Sequence, residues 1–118
     1  MLKVSHKQLI DNALAEVETL EIEDAENFLE DDDAMFVDLR DPRELEREGK
    51  IPNALHAPRG MLEFWVDPTS PYHKEAFASG KRIIFYCQSG WRSALATKAV
   101  QDMGLERVCH IGDGYRGW

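Results

Sequence analysis

Residues 81–93, KRIIFYCQSGWRS, constrain the fold of this chain more than any other segment. The apolar run at residues 83–86 has the length and the β-branched and aromatic content of a buried strand. After the loop, the alanine-rich residues 93–105, SALATKAVQDMGL, predict a helix. We expect its buried face to carry three residues at helical spacing, Leu95, Ala99 and Met103. Cys87 therefore lies where a strand ends and a helix is about to begin.

The position of Cys87 favours the ionised form of its thiol. Loop amides at such a junction can point inward at a central sulfur or anion, and Gly90 eases the turn that this requires. The N-terminus of the following helix and the nearby Arg92 both stabilise a thiolate. These features together predict a nucleophilic cysteine.

Strands and helices alternate along the rest of the chain. Apolar runs predict three further strands, at residues 35–39, 54–56 and 107–111. A helix with Ser5 as its N-cap is expected from about residue 6 to residue 17. Its buried stripe is expected to comprise Leu9, Ile10, Ala13, Leu14 and Val17. Residues 17–20 either continue this helix or open a short first strand.

Three further helices are predicted between these strands. Short helices are expected near residues 22–29 and 61–66. Pro42 suits a first helical position and predicts a helix to residue 48, which Gly49 stops. The alternation predicts a largely parallel α/β sheet with helices on both faces. Ligands of such sheets bind beyond the carboxyl ends of the strands, which is where Cys87 falls.

Charge and length narrow the classes of function. The 118 residues fit one domain with a single core. The net charge of −8 lies mostly before Gly60 and argues against nucleic acid or an anionic membrane as a partner, because both are polyanions. No apolar segment approaches the roughly 20 residues that span a bilayer, and the first residues lack a signal-peptide pattern. The two cysteines then indicate free thiols in a reducing compartment, so the cytoplasm is the expected location.

Four segments of the chain match the motifs of a known family in the same order. Residues 36–45 (FVDLRDPREL) match a VDVR-(E/D)-P-x-E-(F/L) segment, and residues 49–54 (GKIPNA) match a G-H-I-P-G-A turn. Residues 87–93 (CQSGWRS) match a C-x-S-G-x-R-S active-site loop, and residues 112–118 (GDGYRGW) match a closing x-G-G-(F/Y/I)-x-x-W motif. Over roughly residues 19–118, the ordered set resembles the rhodanese-like single-domain sulfurtransferases.

The resemblance implies both a fold and a division of the chain. The expected fold is α/β, a rhodanese-like three-layer sandwich with a mostly parallel five-stranded sheet and helices on both faces. The expected units are an N-terminal helical extension, residues 1–18, and a rhodanese-like domain, residues 19–118. The chain departs from the family motifs at Lys50, Asn53 and Asp113, and none of these departures touches the nucleophile.

The resemblance also implies a reaction. Cys87 would accept a sulfane sulfur from a donor such as thiosulfate, and the resulting persulfide would pass its outer sulfur to cyanide or a thiol. Small donors and acceptors, or a protein that donates or accepts sulfur, are the implied partners, and no cofactor is implied. Loop amides would stabilise the anionic persulfide much as an oxyanion hole stabilises developing charge. The expected substrate-binding residues are Gln88, Ser89, Gly90, Trp91, Arg92, Ser93 and Arg59.

Four of these side chains have two interpretations each. Arg92 either recognises the oxyanion group of the donor or forms a structural ion pair with Asp38. Trp91 either forms a hydrophobic wall over the sulfur or covers the start of the helix. Arg59 is either a second cation at the mouth of the pocket or a solvated side chain. Ser93 either caps the following helix or donates a hydrogen bond into the loop.

Other polar residues are expected to be structural. Arg40 and Glu44 predict an ion pair with no chemical role. Cys109 lies within an apolar strand, which predicts a buried core thiol rather than a disulfide partner. The four histidines, His6, His56, His73 and His110, show no metal-ligand spacing, so no metal site is indicated.

Two other functions remain alternatives. A cysteine-dependent phosphatase or arsenate reductase of related fold separates its cysteine and arginine by about five residues, so that the loop wraps a tetrahedral oxyanion. Here four residues separate Cys87 from Arg92, and the smaller loop suits a single sulfur atom. A non-catalytic persulfide carrier or protein-interaction module is the other alternative, which the acidic N-terminal half and the leading helix favour.

Overall fold

A five-stranded sheet, parallel throughout, forms the centre of the computed structural model, which describes all 118 residues. The strands are β1 (Glu18–Leu20), β2 (Ala34–Asp38), β3 (Leu55–His56), β4 (Arg82–Tyr86) and β5 (Val108–Ile111). Their spatial order is β1-β5-β4-β2-β3, and every adjacent pair is parallel. The alternative left open at residues 17–20 is therefore decided in favour of a strand.

Six helices surround this sheet. They are α1 (His6–Glu16), α2 (Ile22–Glu26), α3 (Pro42–Glu48), α4 (Leu62–Val66), α5 (Trp91–Asp102) and α6 (Gly114–Gly117), and 3-10 turns occupy Arg59–Met61 and Glu75–Ala78. None of these helices is long and apolar enough to cross a membrane.

The apolar core is divided into two layers by the sheet, as the pleat of a strand requires. Ile83 and Phe85 of β4 pack in one cluster with residues of α4 and α5. Ile84 and Tyr86, which point the other way, pack in a second cluster with Ala25 of α2. The predicted three-layer α/β sandwich with helices on both faces is confirmed.

Local capping explains where α3 begins and ends. The Asp41 carboxylate accepts a hydrogen bond from the Arg43 amide, and the Glu44 carboxylate accepts one from the Asp41 amide, which is a capping box. Pro42 occupies the first helical turn. Gly49 ends the helix with a φ of 80°, a value that glycine adopts at little cost. The predicted boundaries of this helix are confirmed.

The buried stripe of α1 is narrower than its apolar pattern predicts. Ser5 caps the helix as predicted, and its side chain accepts a hydrogen bond from the Gln8 amide. Only Ile10 and Ala13 are buried within the helix, whereas Leu9 and Leu14 are exposed. The reason is that α1 packs mainly against α5, so only a narrow stripe is covered.

The prediction for the buried face of α5 was wrong. The buried residues are Ser93, Ala94, Ala96, Thr97 and Val100. Leu95 and Ala99 are half-buried, and Met103 is exposed. Small side chains suit a helix that lies against both a sheet and a neighbouring helix, and the buried Thr97 hydroxyl donates to the Ser93 carbonyl oxygen at 2.7 Å.

Candidate active site

Cys87 follows β4 directly, and its sulfur is enclosed by the start of α5. The residue is 1% exposed. Its Sγ accepts hydrogen bonds from the amides of Gly90 at 3.2 Å and Ser93 at 3.4 Å. We call these two amides the amide cradle. Because they belong to the N-terminus of a helix, they present partial positive charge to the sulfur.

The backbone of the last residues holds the loop in place. The Tyr115 amide donates to the Cys87 carbonyl oxygen at 2.8 Å, and the Arg116 amide donates to the Gln88 carbonyl oxygen at 3.0 Å. Gly90 has a φ of 94°, and a Cβ there would clash with the Gly112 carbonyl oxygen. The closing motif thus clamps the loop, and the close approach at residue 90 requires glycine.

Ser93 and His110 lie behind the sulfur. In the thiol form, Cys87 Sγ donates to Ser93 Oγ at 3.6 Å. Ser93 Oγ also lies 2.8 Å from His110 Nδ1, and His110 Nε2 lies 3.0 Å from Thr19 Oγ1. Ser93 therefore points into the loop, donating to the Gly90 carbonyl oxygen at 3.2 Å, and its side chain does not cap α5. Burial lowers the pKa of His110 to about 4, so the imidazole is neutral near neutral pH.

Arg92 pairs with Glu44, so the predicted pairing with Asp38 was wrong. Its guanidinium forms a two-pronged pair with the Glu44 carboxylate, at 2.8 and 3.0 Å. This hydrogen bonding lowers the pKa of Glu44 to about 2 and raises the pKa of Arg92. The Arg92 side chain is still 41% exposed, so part of it faces solvent near the loop.

The predicted Arg40–Glu44 ion pair was also wrong. Arg40 is buried and pairs with Asp38, with 2.8 Å between Nη2 and Oδ2, and neither side chain is exposed. It also donates to the Gly49 carbonyl oxygen at 2.7 Å and to the Gln88 side-chain oxygen at 3.2 Å. Its guanidinium lies 4.3 Å from the centre of the Tyr115 ring. Arg40 is therefore a structural support beneath the loop, which sequence reasoning missed because burial was not foreseen.

The remaining predicted site residues lie in three places. Gln88 bridges Arg40 and the Glu48 carboxylate with its side chain, and Ser89 is half-buried. The Trp91 ring is exposed and lies 5.4 Å from the His6 ring. Trp91 and residues of α1 together line a groove of about 240 Å³.

Arg59 has a partner of its own. Its guanidinium pairs with the Glu63 carboxylate at 2.8 Å, one helical turn later, and its side chain is partly exposed. No hydrogen bond joins it to a residue of the loop. The geometry brings together Cys87, Gly90, Ser93 and Arg92, while Arg59 forms a separate pair.

The second cysteine belongs to the core. Cys109 is buried, and its thiol points at the Ile83 carbonyl oxygen, 3.8 Å away. Burial raises the pKa of this thiol to about 11, which leaves it protonated and unreactive near neutral pH. Both cysteines are free thiols, and no group of three or more His, Cys, Asp or Glu side chains could hold a metal ion.

Two depressions that are larger than the groove beside Trp91 lie at the other end of the strands, near the amino ends of β4 and β5. They have volumes of about 320 and 430 Å³ and share Phe77, Ala78, Gly104 and Leu105 as lining residues. The first also reaches Lys81 and Arg107, which precede β4 and β5. Cys87 follows the other end of β4, so neither depression belongs to its site.

The sequence profile of the rhodanese-like domain matches residues 21–118. The chain belongs to the rhodanese-like family. This match confirms the family that its four motifs resemble. Among curated relatives, a sulfurtransferase of Allochromatium vinosum is 28% identical over 94 residues, covering 80% of this chain and 79% of the relative. Some relatives are much longer: a tRNA uridine(34) hydroxylase of Cronobacter sakazakii is 32% identical over 101 residues, which cover 82% of this chain but only 27% of the relative.

Two solved structures are similar to this chain over most of its length. A protein of unknown function from Rhodopseudomonas palustris, described as a possible tyrosine phosphatase, superposes with a TM-score of 0.96. Its sequence is 48% identical to this one, and the superposition covers all of this chain and 91% of the other. The human single-domain sulfurtransferase TSTD1 superposes with a TM-score of 0.69 at 25% identity, covering 86% of this chain and 95% of its own.

Proposed function

We propose that this chain is a sulfurtransferase that carries a sulfane sulfur on Cys87. The observation that carries the proposal is the amide cradle, in which the Gly90 and Ser93 amides hold one buried sulfur at the start of α5. Such a site stabilises a thiolate before the reaction and the anionic persulfide after it. Family membership and the sulfurtransferase relative support the same reaction.

The proposed reaction has two displacements. The Cys87 thiolate attacks the outer sulfur of a donor such as thiosulfate, a sulfur–sulfur bond forms, and sulfite leaves with the electron pair of the broken bond. An acceptor such as cyanide or a cellular thiolate then attacks the outer sulfur of the persulfide. The Cys87 thiolate leaves with the electron pair and is regenerated. No oxidant, metal or cofactor is needed to balance either step.

Arg92 is proposed to take part in donor recognition as well as in structure. Glu44 occupies two of its five N–H donors, and the side chain is 41% exposed, so the remaining donors would attract an anionic group at the mouth of the loop. Trp91 is proposed to provide an apolar wall next to this mouth, and Arg59 is proposed as a more distant cation. Gln88 and Ser89 would contribute mainly through their backbone.

The first test is the intact mass of the protein before and after thiosulfate, followed by cyanide. A gain of about 32 Da that cyanide removes as thiocyanate is expected of a persulfide cycle at a nucleophilic cysteine. Cys87→Ser should show no gain while keeping its fold, and Cys109→Ser is the matched control that should still take up sulfur. Uptake by Cys87→Ser would refute the assignment of the nucleophile.

A phosphatase is the second candidate, because the solved structure at 48% identity is described as a possible tyrosine phosphatase. One observation disfavours it. Four residues separate Cys87 from Arg92, whereas phosphatases of related fold separate the two by about five, so this loop is smaller than one that wraps a tetrahedral oxyanion. Hydrolysis of an aryl phosphate that is lost in Cys87→Ser, with no sulfur uptake from thiosulfate, would establish the phosphatase instead.

A persulfide carrier for a protein partner is the third candidate. We propose that residues 1–18 are an added helical extension next to the domain formed by residues 19–118. Leu14 of α1 and Trp91 line the same groove beside the active loop, so a partner protein could contact both. A carrier would turn over small donors slowly and would transfer sulfur rapidly to one partner.

The two free cysteines suit a reducing compartment, and we propose the cytoplasm as the location of the protein.

A further inference from the structure

The imidazole of His110 is fully buried on β5, and each of its ring nitrogens faces a hydroxyl group. Nδ1 lies 2.8 Å from Ser93 Oγ, and Nε2 lies 3.0 Å from Thr19 Oγ1 on the edge strand β1. Ser93 is also fully buried, and its Oγ lies 3.6 Å from Cys87 Sγ. His110 is therefore connected to the sulfur through one hydroxyl group, without touching the sulfur itself.

The hydrogen bonds of Ser93 determine which nitrogen of the ring carries the proton. A serine hydroxyl has one hydrogen, and here it is donated to the Gly90 carbonyl oxygen at 3.2 Å. The ring must therefore donate the hydrogen bond between Nδ1 and Ser93 Oγ. Burial lowers the pKa of His110 to about 4, so the imidazole is neutral near neutral pH and has a single N–H. Nε2 is then an acceptor, and the Thr19 hydroxyl donates to it.

This arrangement leaves the hydroxyl hydrogen as the one part of Ser93 that can change its partner. One lone pair of Ser93 Oγ accepts from His110 Nδ1–H, and the other accepts from the Cys87 thiol. The Gly90 carbonyl oxygen does not depend on the hydroxyl, because the Ala94 amide also donates to it at 3.1 Å. The hydrogen can therefore turn away from this oxygen without leaving a buried acceptor unpaired.

A negatively charged sulfur needs that hydrogen. A thiolate can only accept hydrogen bonds, so it cannot make the one that the thiol donates to Ser93 Oγ. A hydroxyl that donates to the charged sulfur stabilises it, and such charge-assisted hydrogen bonds are stronger than neutral ones. Rotation about the Cβ–Oγ bond of Ser93 turns the hydrogen from the Gly90 oxygen to the sulfur. No proton is transferred, so the charges of Ser93 and His110 are unchanged.

We propose that His110 is a positioning residue that keeps Ser93 available as a donor to the sulfur whenever Cys87 carries negative charge. As an Nδ1–H donor, the ring occupies a lone pair of Ser93 Oγ and leaves the hydroxyl hydrogen free. The other tautomer would present an acceptor at Nδ1 and would compete with the sulfur for that hydrogen. The inference rests on the proposed function, in which the thiolate attacks the donor and is the leaving group of the second displacement.

The first test is the tautomer of His110 in protein labelled with ¹⁵N-histidine at neutral pH, because nitrogen chemical shifts distinguish a protonated ring nitrogen from a bare one. The expected result is a proton on Nδ1. In Ser93→Ala, Nδ1 loses its acceptor while the Thr19 hydroxyl can still accept, so the proton should move to Nε2. A wild-type ring that is protonated on Nε2, or an unchanged tautomer in Ser93→Ala, would overturn the proposal.

The second test is the single-turnover rate at which cyanide removes sulfur from thiosulfate-loaded protein, because Cys87 leaves as a thiolate in that step. His110→Leu should slow this rate by about three- to tenfold, the value of one hydrogen bond. His110→Asn places an amide N–H near the position of Nδ1 and should restore most of the rate. His110→Gln places its amide near the position of Nε2 and is the matched control that should not.

A double variant shows whether His110 acts through Ser93. In a Ser93→Ala background, His110→Leu should cause no further slowing, because the connecting hydroxyl is gone. Equal rates in His110→Asn and His110→Gln, or the same loss from His110→Leu in both backgrounds, would show that the ring only supports the fold and would refute the positioning role.

Failure of this inference can be told apart from failure of the proposed function. The tautomer measurement contains no sulfur donor or acceptor, so it does not depend on sulfur uptake. Sulfur uptake by a protein whose His110 is protonated on Nε2 would keep the proposed function and overturn the inference. A proton on Nδ1 in a protein that takes up no sulfur would do the reverse.

Discussion

The buried ion pair beneath the active loop gives the largest single-residue effect on stability that we expect outside the apolar core. Replacing Arg40 with methionine removes a cation and leaves Asp38, whose side chain is fully buried, without its partner. Breaking a buried pair in this way costs about 3–5 kcal/mol. The folding free energy of a domain of this size is about 5–15 kcal/mol, so the loss is a large fraction of the total. The melting temperature should fall by about 10–20 °C.

Urea unfolding followed by the fluorescence of the three tryptophans measures this loss. The matched control is Arg43→Met, because Arg43 pairs with Asp41 on the surface, where both side chains are well exposed. A surface pair contributes about 1 kcal/mol at most, so Arg43→Met should be nearly neutral.

The double variant Asp38→Asn/Arg40→Met separates charge from packing. Asparagine keeps an oxygen for the Arg40 main-chain amide, which donates to Asp38 Oδ1 at 2.9 Å, but carries no charge. The double variant should therefore be about 2 kcal/mol more stable than Arg40→Met alone. If Arg40→Met costs no more than Arg43→Met, or if the double variant is as unstable as the sum of its single variants, the unpaired charge is not the cause.

Three further predictions concern the loop and its neighbours. Gly90→Ala forces a Cβ against the Gly112 carbonyl oxygen at a positive φ and should destabilise the protein by about 1–3 kcal/mol and abolish sulfur uptake. Gly60→Ala, whose Cβ would meet no atom within 4 Å, should change neither property, and a stable, active Gly90→Ala protein would contradict the clamped loop. Glu44→Gln should lower stability at pH 7 by about 1–2 kcal/mol, measured by urea unfolding, after allowance for screening by solvent. Because the pKa of Glu44 is depressed from 4.5 to about 2 in the folded protein, its contribution is complete above pH 4.5 and is lost as the pH falls toward 2. The difference from wild type should therefore shrink in acid, and a difference that is constant with pH would refute the ion-pair explanation. Cys109 should resist iodoacetamide in the folded protein, since burial raises the pKa of its thiol to about 11, so intact mass should show two alkylations only after unfolding. Modification of Cys109 in the native state would show that the strand opens.

Local patterns were sufficient where neighbouring residues decide the structure. The apolar run before Cys87 predicted β4, and Asp41, Pro42 and Gly49 predicted both ends of α3, because capping involves residues a few positions apart. The strand–loop–helix unit and the place of Cys87 within it could also be predicted. The sequence alone therefore located the candidate nucleophile at the carboxyl end of the central strand.

The partners of the charged side chains in ion pairs could not be predicted in the same way. Arg40, Glu44, Asp38 and Arg92 were paired wrongly because two cations and two carboxylates allow two arrangements, and only the packed structure decides between them. The side chains of Asp38 and Arg40 are both fully buried, whereas Glu44 on α3 faces Arg92 on α5. The pairing follows burial, which depends on residues remote in sequence.

Hydrophobicity was also a poor guide to the buried faces of α1 and α5. Within the predicted stripe of α1, Ile10 and Ala13 are buried but Leu9 and Leu14 are exposed, and in α5 the small Ala94 and Ala96 are buried, which the prediction did not include. Close packing selects small side chains, which a search for large apolar residues overlooks. The hydrogen bonding of His110 was not predicted, because the histidines were considered only as metal ligands. A polar residue within the buried run of β5 must find hydrogen-bond partners, and that was the available signal.

The pairing of β1 with β5 has a consequence for how the protein is made. Thr19 and His110 are 91 positions apart, yet they are opposite each other in the sheet. While β1 through β4 have emerged from the ribosome and later residues have not, β5, which lies between β1 and β4, and the glycines that clamp the loop are still missing from the fold. Contacts between such distant segments form late and slow folding. On the nascent chain, the loop that holds Cys87 therefore takes its final form only after β5 and residues 112–116 have packed against it.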